Sequence, residues 1–518
     1  MDKKVSQIII RAFTSVGMSA LSFLAARLLA VGTVSAAELD IPKGPLFLTV
    51  DVKPNILLAV DDSGSMDSEV LMPSNDGAMW FHTANESFTG IDKQGNNTTG
   101  VINFNVGGNA NATWKKFTYL FPNGTGRTAG RRNYDDSTHA HYAIPPLPEY
   151  AYTRSPVYNA AYFNPSVEYT PWVRYDGSFF PDQGGASYDF TAVETDPTQG
   201  NETFNLEACR ASNSAIALSG GAGCGVGAGN DDDDDDGGGG TNYCTSISAG
   251  ATNNHLFKMY DGMTIPSGAC YLDWTDNSWK VAGSAVALDQ EREVGLLYFP
   301  ATFWLPEGQA HQYIPDNFGY ISNKRLTGGL APDGTAMVGY ELKLQNFTGQ
   351  PHYDAAMRNF ANWFTYYRKR HAATRAGIGE SFVDLNRMRV GNLFINQLAD
   401  DAANHDANDS NDTLAVTMRD MDDTAAGGAK QTFFDNIYNT TGDGGTPNRQ
   451  ALLATGRQFE RDASPIIQYS CQQNFAILFT DGYATTWNGA GVGNTDAVAD
   501  NTHTPPYSGV APYSDAQN

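Results

Sequence analysis

Asp61, Ser63 and Ser65 put a carboxylate and two hydroxyls on alternate positions of one polar segment, Asp61-Asp62-Ser63-Gly64-Ser65-Met66. Two more oxygen donors stand far along the chain: Thr446 in Gly444-Gly445-Thr446-Pro447, and Asp481 in Phe479-Thr480-Asp481-Gly482. This set is all hard oxygen, with no His or Cys, which suits Mg²⁺, Mn²⁺ or Ca²⁺ rather than zinc or copper. Mg²⁺ is the first expectation. It seldom takes a full protein cage, so a position remains for water or for an acidic side chain of a partner. Each piece alone has a plainer reading. DxSxS makes a polar turn or helix cap, Thr446 makes an N-cap, and Asp-Gly after a strand is a common turn. Only convergence of the three loops makes a metal site of them.

The elements that must bring these loops together are written in the apolar patterning. Asn55-Ile56-Leu57-Leu58-Ala59-Val60 is a short continuous apolar run ending at Asp61, as expected of a parallel-sheet strand buried on both faces. A similar unit, Asn474 to Thr480, ends at Asp481-Gly482, and Met388–Ile395 reads as a third strand. Met357, Phe360, Trp363, Phe364 and Tyr367 keep helical spacing across Tyr353–His371, and Phe433, Phe434, Ile437 and Tyr438 mark a second helix. Thr446-Pro447 opens a third, with Thr as cap and Pro at the first helical position; Ala451, Leu452, Thr455 and Phe459 form its face. Strands and helices thus alternate as in an α/β domain from about 351 to 500, with the first strand displaced to 55–60. Ligands of open parallel sheets bind outside the carboxyl ends of the strands, where Asp61 and Asp481 fall. Residues 67–350 differ in character: rich in Tyr, Asn, Gly and Pro, they predict an insertion of short strands and loops. Its tract Gly220–Gly240 reads as a surface loop, and the contiguous acids Asp231–Asp236 as a solvated charge run, since an EF-hand needs spaced ligands and a glycine turn.

The motifs Asp61-x-Ser63-Gly-Ser65, Gly445-Thr446-Pro447 and Phe479-Thr480-Asp481-Gly482 resemble the metal-ion-dependent adhesion site of von Willebrand factor A domains. The resemblance implies a Rossmann-like α/β domain, a central mostly parallel sheet flanked by helices, here split by a large β/loop-rich insertion. It also implies that Asp61, Ser63, Ser65, Thr446 and Asp481 hold a divalent cation, directly or through water, and that an acidic ligand completes the shell. Tyr162-Phe163-Asn164-Pro165 with Tyr169-Thr170-Pro171-Trp172, the segment Asn359–Arg368, the Phe433-Phe434 helix running into Gly-Gly-Thr-Pro, and Asn474–Tyr483 together resemble PilY-type type IV pilus proteins. That implies an exported pilus-tip adhesin and pilus-biogenesis factor, working with the minor pilins of the tip and with a host or abiotic surface that presents a carboxylate. Members of that family continue into a C-terminal β-propeller with a calcium site, whereas this sequence stops at Asn518. The expected organisation is a signal peptide over 1–36, the start of the α/β domain over 37–66, the insertion over 67–350, and the remainder of the domain, incomplete at its C-terminus, over 351–518.

Composition sets the compartment and excludes some functions. The 518 residues are 41% hydrophobic and 17% charged, enough to bury a core. Lys+Arg 33 against Asp+Glu 57 gives −24; removing the six acids of Asp231–Asp236 still leaves −18. Polyanions are repelled by such a surface, so nucleic acid is not the expected partner. Lys3, Lys4 and Arg11 precede a largely apolar stretch that ends in Val34-Ser35-Ala36-Ala37, the pattern of a secretory signal cleaved near Ala36. Arg27 interrupts the stretch, which disfavours a membrane anchor. No later segment is apolar enough to span a bilayer. Cys209, Cys224, Cys244, Cys270 and Cys471 then reach an oxidising compartment, where the first four allow two bridges in three connectivities and Cys471, the odd one, is either a buried thiol or pairs with one of the four and strands another. Their spacing lacks the CxxC pairs of a zinc site.

A binding protein is therefore the leading expectation. The rival is a metal-assisted envelope hydrolase, which needs a general base beside the site. None stands out: the nine His are scattered, His139-Ala140-His141 reads as a pair of surface histidines, and no GxSxG or HExxH occurs. The chain is read as no enzyme. A third reading keeps it a pilus scaffold whose ion ties loops together. The aromatics of Tyr158–Trp172 are either a binding face or the insertion's own core.

Overall fold

Four strands form the sheet that carries the predicted loops: β1 (Asn55–Val60), β2 (Arg389–Phe394), β3 (Arg419–Asp420) and β4 (Asn474–Phe479). They come from a computed structural model that describes residues 52–72, 77–82, 114–122, 141–198, 203–207, 256–276, 278–398, 416–440, 444–462 and 464–481. Lys53–Asn518 makes one unit by its internal contacts and Met1–Val52 another; the former is treated below. The predicted signal peptide, Cys209, Cys224, Cys244, the run Asp231–Asp236, His139 and Gly482-Tyr483 lie outside the described residues. Of the other cysteines, Cys270 is buried and Cys471 exposed. No helix among the described residues is long and apolar enough to cross a membrane.

The strand order is β3-β2-β1-β4. β1 pairs in parallel on both sides, Val60 lying opposite Phe394 of β2 and Phe479 of β4, while β3 runs antiparallel along β2. The architecture is mixed α/β with a parallel centre. Four helices accompany the sheet: α1 (Gln350–Tyr366), α2 (Arg370–Phe382), α3 (Ala429–Tyr438) and α4 (Asn448–Phe459). The unbroken apolar run of β1 is explained by burial on two faces. Leu58 and Val60 pack with Ala376, Phe433, Phe434 and Ile437 of α2 and α3. Leu57 and Ala59 pack with Ala451 and Ala454 of α4.

Three sequence expectations need correction. The helix predicted across Tyr353–His371 breaks: α1 ends at Tyr366, and Lys369 is extended at φ −92°, ψ 147° before α2 begins. Residues 368–371 turn inward there to meet buried acids, which outweighs helix continuation. Thr446 is not a helix cap; Pro447 occupies the N-cap position, with no side-chain cap hydrogen bond. β4 is not buried on both faces. Among the described residues it pairs only with β1, and Phe475 and Ile477 are 50% and 39% exposed. They lie on the same face as Leu58 and Val60, at the sheet edge that the described helices α2 and α3 leave uncovered.

Between Gly64 and Gln350 the chain forms strands of two to six residues and short helical turns. One aromatic-rich core spans Val70 to Phe364 and takes in the face of α1 built from Tyr353, Met357, Phe360 and Trp363. The two aromatic motifs are a single interlocked unit. Asn359 Oδ1 accepts from Tyr169 N at 2.7 Å, Asn359 Nδ2 donates to Val167 O at 2.8 Å, Asn362 Nδ2 donates to Tyr169 O at 3.1 Å, and Trp363 Nε1 donates to Ala161 O at 3.0 Å. Tyr158, Tyr162, Phe163 and Trp172 are buried, so these aromatics form core rather than a binding face.

Trp172 extends this unit into the sheet's own core. Its ring stacks on Tyr438 of α3 at 5.1 Å and 13°, and its Nε1 donates to Tyr366 O at 2.7 Å. Trp172→Ala removes a 1%-exposed indole that joins the insertion to α1 and α3. The expected destabilisation is about 3–5 kcal/mol, read as a lower denaturant midpoint. Trp172→Phe, which keeps the stack but not the Nε1 hydrogen bond, loses less.

Candidate metal centre

β1 delivers Asp61, and the loop beyond it is shaped by the Asp61 carboxylate. Asp61 N continues the ladder by donating to Phe479 O at 2.9 Å, while Asp61 Oδ1 accepts from Ser63 N at 2.8 Å. This local turn leads into a 3₁₀ turn, Gly64–Asp67. Asp61 Oδ2 accepts from the Thr480 hydroxyl at 2.6 Å. The end of β4 thereby reaches the end of β1, as parallel register requires.

A continuous chain of side chains follows. Ser63 Oγ lies 3.0 Å from Ser65 Oγ, and Ser65 donates to Asp481 Oδ1 at 3.0 Å. Asp61 and Ser63 are almost fully buried, at 2% and 1% exposed. The third loop arrives through its backbone: Gly64 N donates to Gly444 O at 3.1 Å. Gly444 has φ +90°, and a Cβ on it would come within 2.8 Å of Asn396 Oδ1, so glycine is required at this contact. Thr446 lies two residues further on and is itself buried. Asn448, at the start of α4, donates from Nδ2 to the Thr480 hydroxyl at 2.9 Å.

The structure therefore brings four of the five predicted residues, Asp61, Ser63, Ser65 and Asp481, into one hydrogen-bonded group, and puts Thr446 in the loop that touches Gly64. Sequence reasoning missed Thr480, Asn448 and Arg370. The first two sit one and two residues from predicted ligands. Arg370 had no motif to mark it. Its Nη1 pairs with Asp481 Oδ2 at 2.5 Å, and its Nε and Nη2 donate to Val70 O at 2.9 and 2.7 Å.

Arg370 belongs to a run in which every side chain meets an acid. Arg368 Nε pairs with Glu69 Oε1 at 2.8 Å, with both side chains at most 1% exposed. Lys369 pairs with Asp67, and His371 Nε2 lies 3.3 Å from Asp67 Oδ1. The acids have further partners on the insertion. Glu69 Oε2 accepts from Leu120 N and Phe121 N at 2.7 and 3.0 Å, and Tyr119 donates to Asp67 Oδ2 at 2.9 Å.

Burial shifts the acids of the loop unequally. It raises Asp61, against the hydrogen bonds from Ser63 and Thr480, with the Asp481 charge adding to the rise. It pushes Asp62 up to about 6, although Asn396 N and Nδ2 donate to its Oδ1 at 2.9 and 3.0 Å. Burial would raise Asp67 as well, but the Lys369 and His371 contacts outweigh it and hold the carboxyl well below its ordinary range. His371 is pushed down to about 4, by burial first and then by Arg375.

Two desolvated carboxylates and a row of hydroxyls, joined by hydrogen bonds that a cation can replace, could hold a small hard ion. Among the described residues no group of three or more His, Cys, Asp and Glu converges, so an ion held here would depend on the hydroxyls as well as the carboxylates. Ser63 and Ser65 face each other and Asp481.

An α/β sheet with an oxygen-lined cluster beyond the carboxyl ends of its parallel strands defines the class of protein. Similarity to characterised proteins is partial. Over 179 residues, 31% of this chain, it is 31% identical to the type IV pilus biogenesis factor PilY1 of Pseudomonas aeruginosa strain PAK. Over 175 residues it is 30% identical to PilY1 of P. aeruginosa strain PAO1. The aligned stretch spans 14% of the length of these relatives. No family model and no solved structure matches the chain.

The His371 shift has a measurable consequence. Its folded value of about 4 lies below the ordinary 6.5, so the unfolded chain takes up the proton first and stability falls as pH drops from 6.5 towards 4. The loss reaches about 3 kcal/mol. Asp62, raised to about 6, runs the opposite way, because the folded chain is protonated first. Denaturant titrations of wild type and His371→Gln at pH 7 and pH 4 separate the two: Asp62 cancels in the difference, and the stability of wild type relative to the variant is lower at pH 4.

Proposed function

We propose that the chain is an exported, type IV pilus-associated protein that binds an acidic ligand through a divalent cation held by Asp61, Ser63, Ser65, Thr446 and Asp481. Mg²⁺ is the favoured ion, with Mn²⁺ and Ca²⁺ as substitutes. The domain is of the von Willebrand factor A type, interrupted after its metal loop by the insertion. Its role is in pilus assembly and surface adhesion, with the minor pilins of the tip as partners and a carboxylate-bearing surface as ligand. It is not an enzyme.

The meeting of the Asp61–Ser65 loop with two loops more than 370 residues further along the sequence carries this reading, above all the Ser65–Asp481 hydrogen bond at 3.0 Å. The partial similarity to a pilus biogenesis factor supports the setting. When bound, the cation supplies a Lewis-acidic point that an acidic side chain can complete. Asp61 and Asp481 supply the charge that attracts it. Ser63 and Ser65 lie within hydrogen-bonding distance of one another and so share its shell, and Gly444 keeps the Thr446 loop against Gly64.

Asp61→Ala and Ser63→Ala test the proposal. Both variants are expected to lose Mn²⁺ binding at least tenfold by calorimetry and to reduce cell adhesion and surface piliation. Wild-type values of adhesion and piliation in both variants would remove the site from the mechanism.

A further inference from the structure

Among the described residues, Arg370 is the cation whose side chain enters the cluster. Its guanidinium is held from behind by two hydrogen bonds to Val70 O and meets Asp481 on the oxygen that Ser65 does not use. Its side chain is 6% exposed, as is that of Asp481, so solvent screens this charge little. The nearby buried charges cancel in pairs: Arg368 with Glu69, Lys369 with Asp67, Arg375 with Asp196. Asp62 is turned aside to the backbone and side-chain nitrogens of Asn396. Among the described residues the charged side chains joined in the cluster are Asp61, Asp481 and Arg370, so Arg370 offsets one carboxylate charge there.

We propose that Arg370 is a positioning and charge-setting residue that makes the loaded centre one charge more positive, weakening cation affinity in return for affinity towards anionic ligands. The inference rests on the reading of the centre as a cation site. With a divalent ion in place, the centre is one charge more positive with Arg370 than without it. Arg370 repels the ion and, through it, strengthens the attraction for a carboxylate, so the two affinities move in opposite directions when its charge is removed. A residue that merely supported the loop would move both the same way.

The test compares wild type, Arg370→Gln and Arg370→Lys, full chain, each checked for cooperative unfolding. Mn²⁺ affinity is read by calorimetry, and binding to carboxylate-coated beads is read in saturating Mn²⁺. Arg370→Gln is expected to bind Mn²⁺ about tenfold more tightly and the beads about tenfold more weakly. Arg370→Lys keeps the charge and loses the fork to Val70 O, and is expected to stay near wild type in both. If Gln does not give a folded chain, Arg370→Met fills the same buried space with the same expected signs. Parallel weakening of both affinities, or no change in either, overturns the role of Arg370. Absence of Mn²⁺ binding by wild type itself would instead overturn the cation site.

Discussion

Everything at the centre depends on buried charge. Arg368, Lys369, Arg370 and His371 are consecutive, and each faces an acid: Glu69, Asp67, Asp481 and again Asp67. Buried ion pairs contribute little net stability, but losing one partner is costly, because the other is left charged and desolvated. That asymmetry makes the run a strong constraint on geometry. The chain must leave its helix after Tyr366 so that four successive side chains can reach these acids, and α2 starts again only once they have done so. The segment Asp67–Val70 is thereby fixed between the α1–α2 junction and the insertion strand that ends at Tyr119.

This clamp accounts for how a domain interrupted immediately after its first strand stays together. β1 leads into Asp61–Ser65, and the chain then departs into the insertion. The loop is held by β1 and by its contacts with Gly444, Thr480 and Asp481, and gains a further anchor downstream of Ser65. The Glu69–Arg368 and Asp67–Lys369 pairs provide that anchor, and the interlocked amides of Asn359 and Asn362 with the backbone near Tyr169 tie the insertion to the same helix. Trp172 completes the connection by stacking on Tyr438 of α3. The insertion is therefore a structural support of the Asp61–Ser65 loop as well as a neighbour of the sheet.

Much of this was legible along the chain. The apolar runs of β1, β2 and β4, the helix around Phe433, and the short-stranded character of the insertion follow from periodicity and composition, which are local properties. The oxygen donors were legible because their spacing is local too: DxSxS lies in one turn, and Asp481 directly follows an apolar run. The exposed face of β4 was not, since Phe475 and Ile477 look the same in sequence whether an element covers them or not. Nor was the break after Tyr366, because the apolar spacing runs on through Tyr367 and nothing local marks where the basic residues will find their partners.

By itself the sequence determined the strands, the oxygen-bearing side chains and an acidic balance, since each depends on residue type and near-neighbour spacing. Only the tertiary structure decided that Asp61, Ser63, Ser65 and Asp481 share one hydrogen-bonded cluster, that Thr480 and Asn448 support it, and that Arg370 pairs with Asp481. The reason is distance along the chain. Ser65 and Asp481 are 416 residues apart, Asp481 and Arg370 are 111, and no local preference encodes a contact that exists only after the sheet has formed.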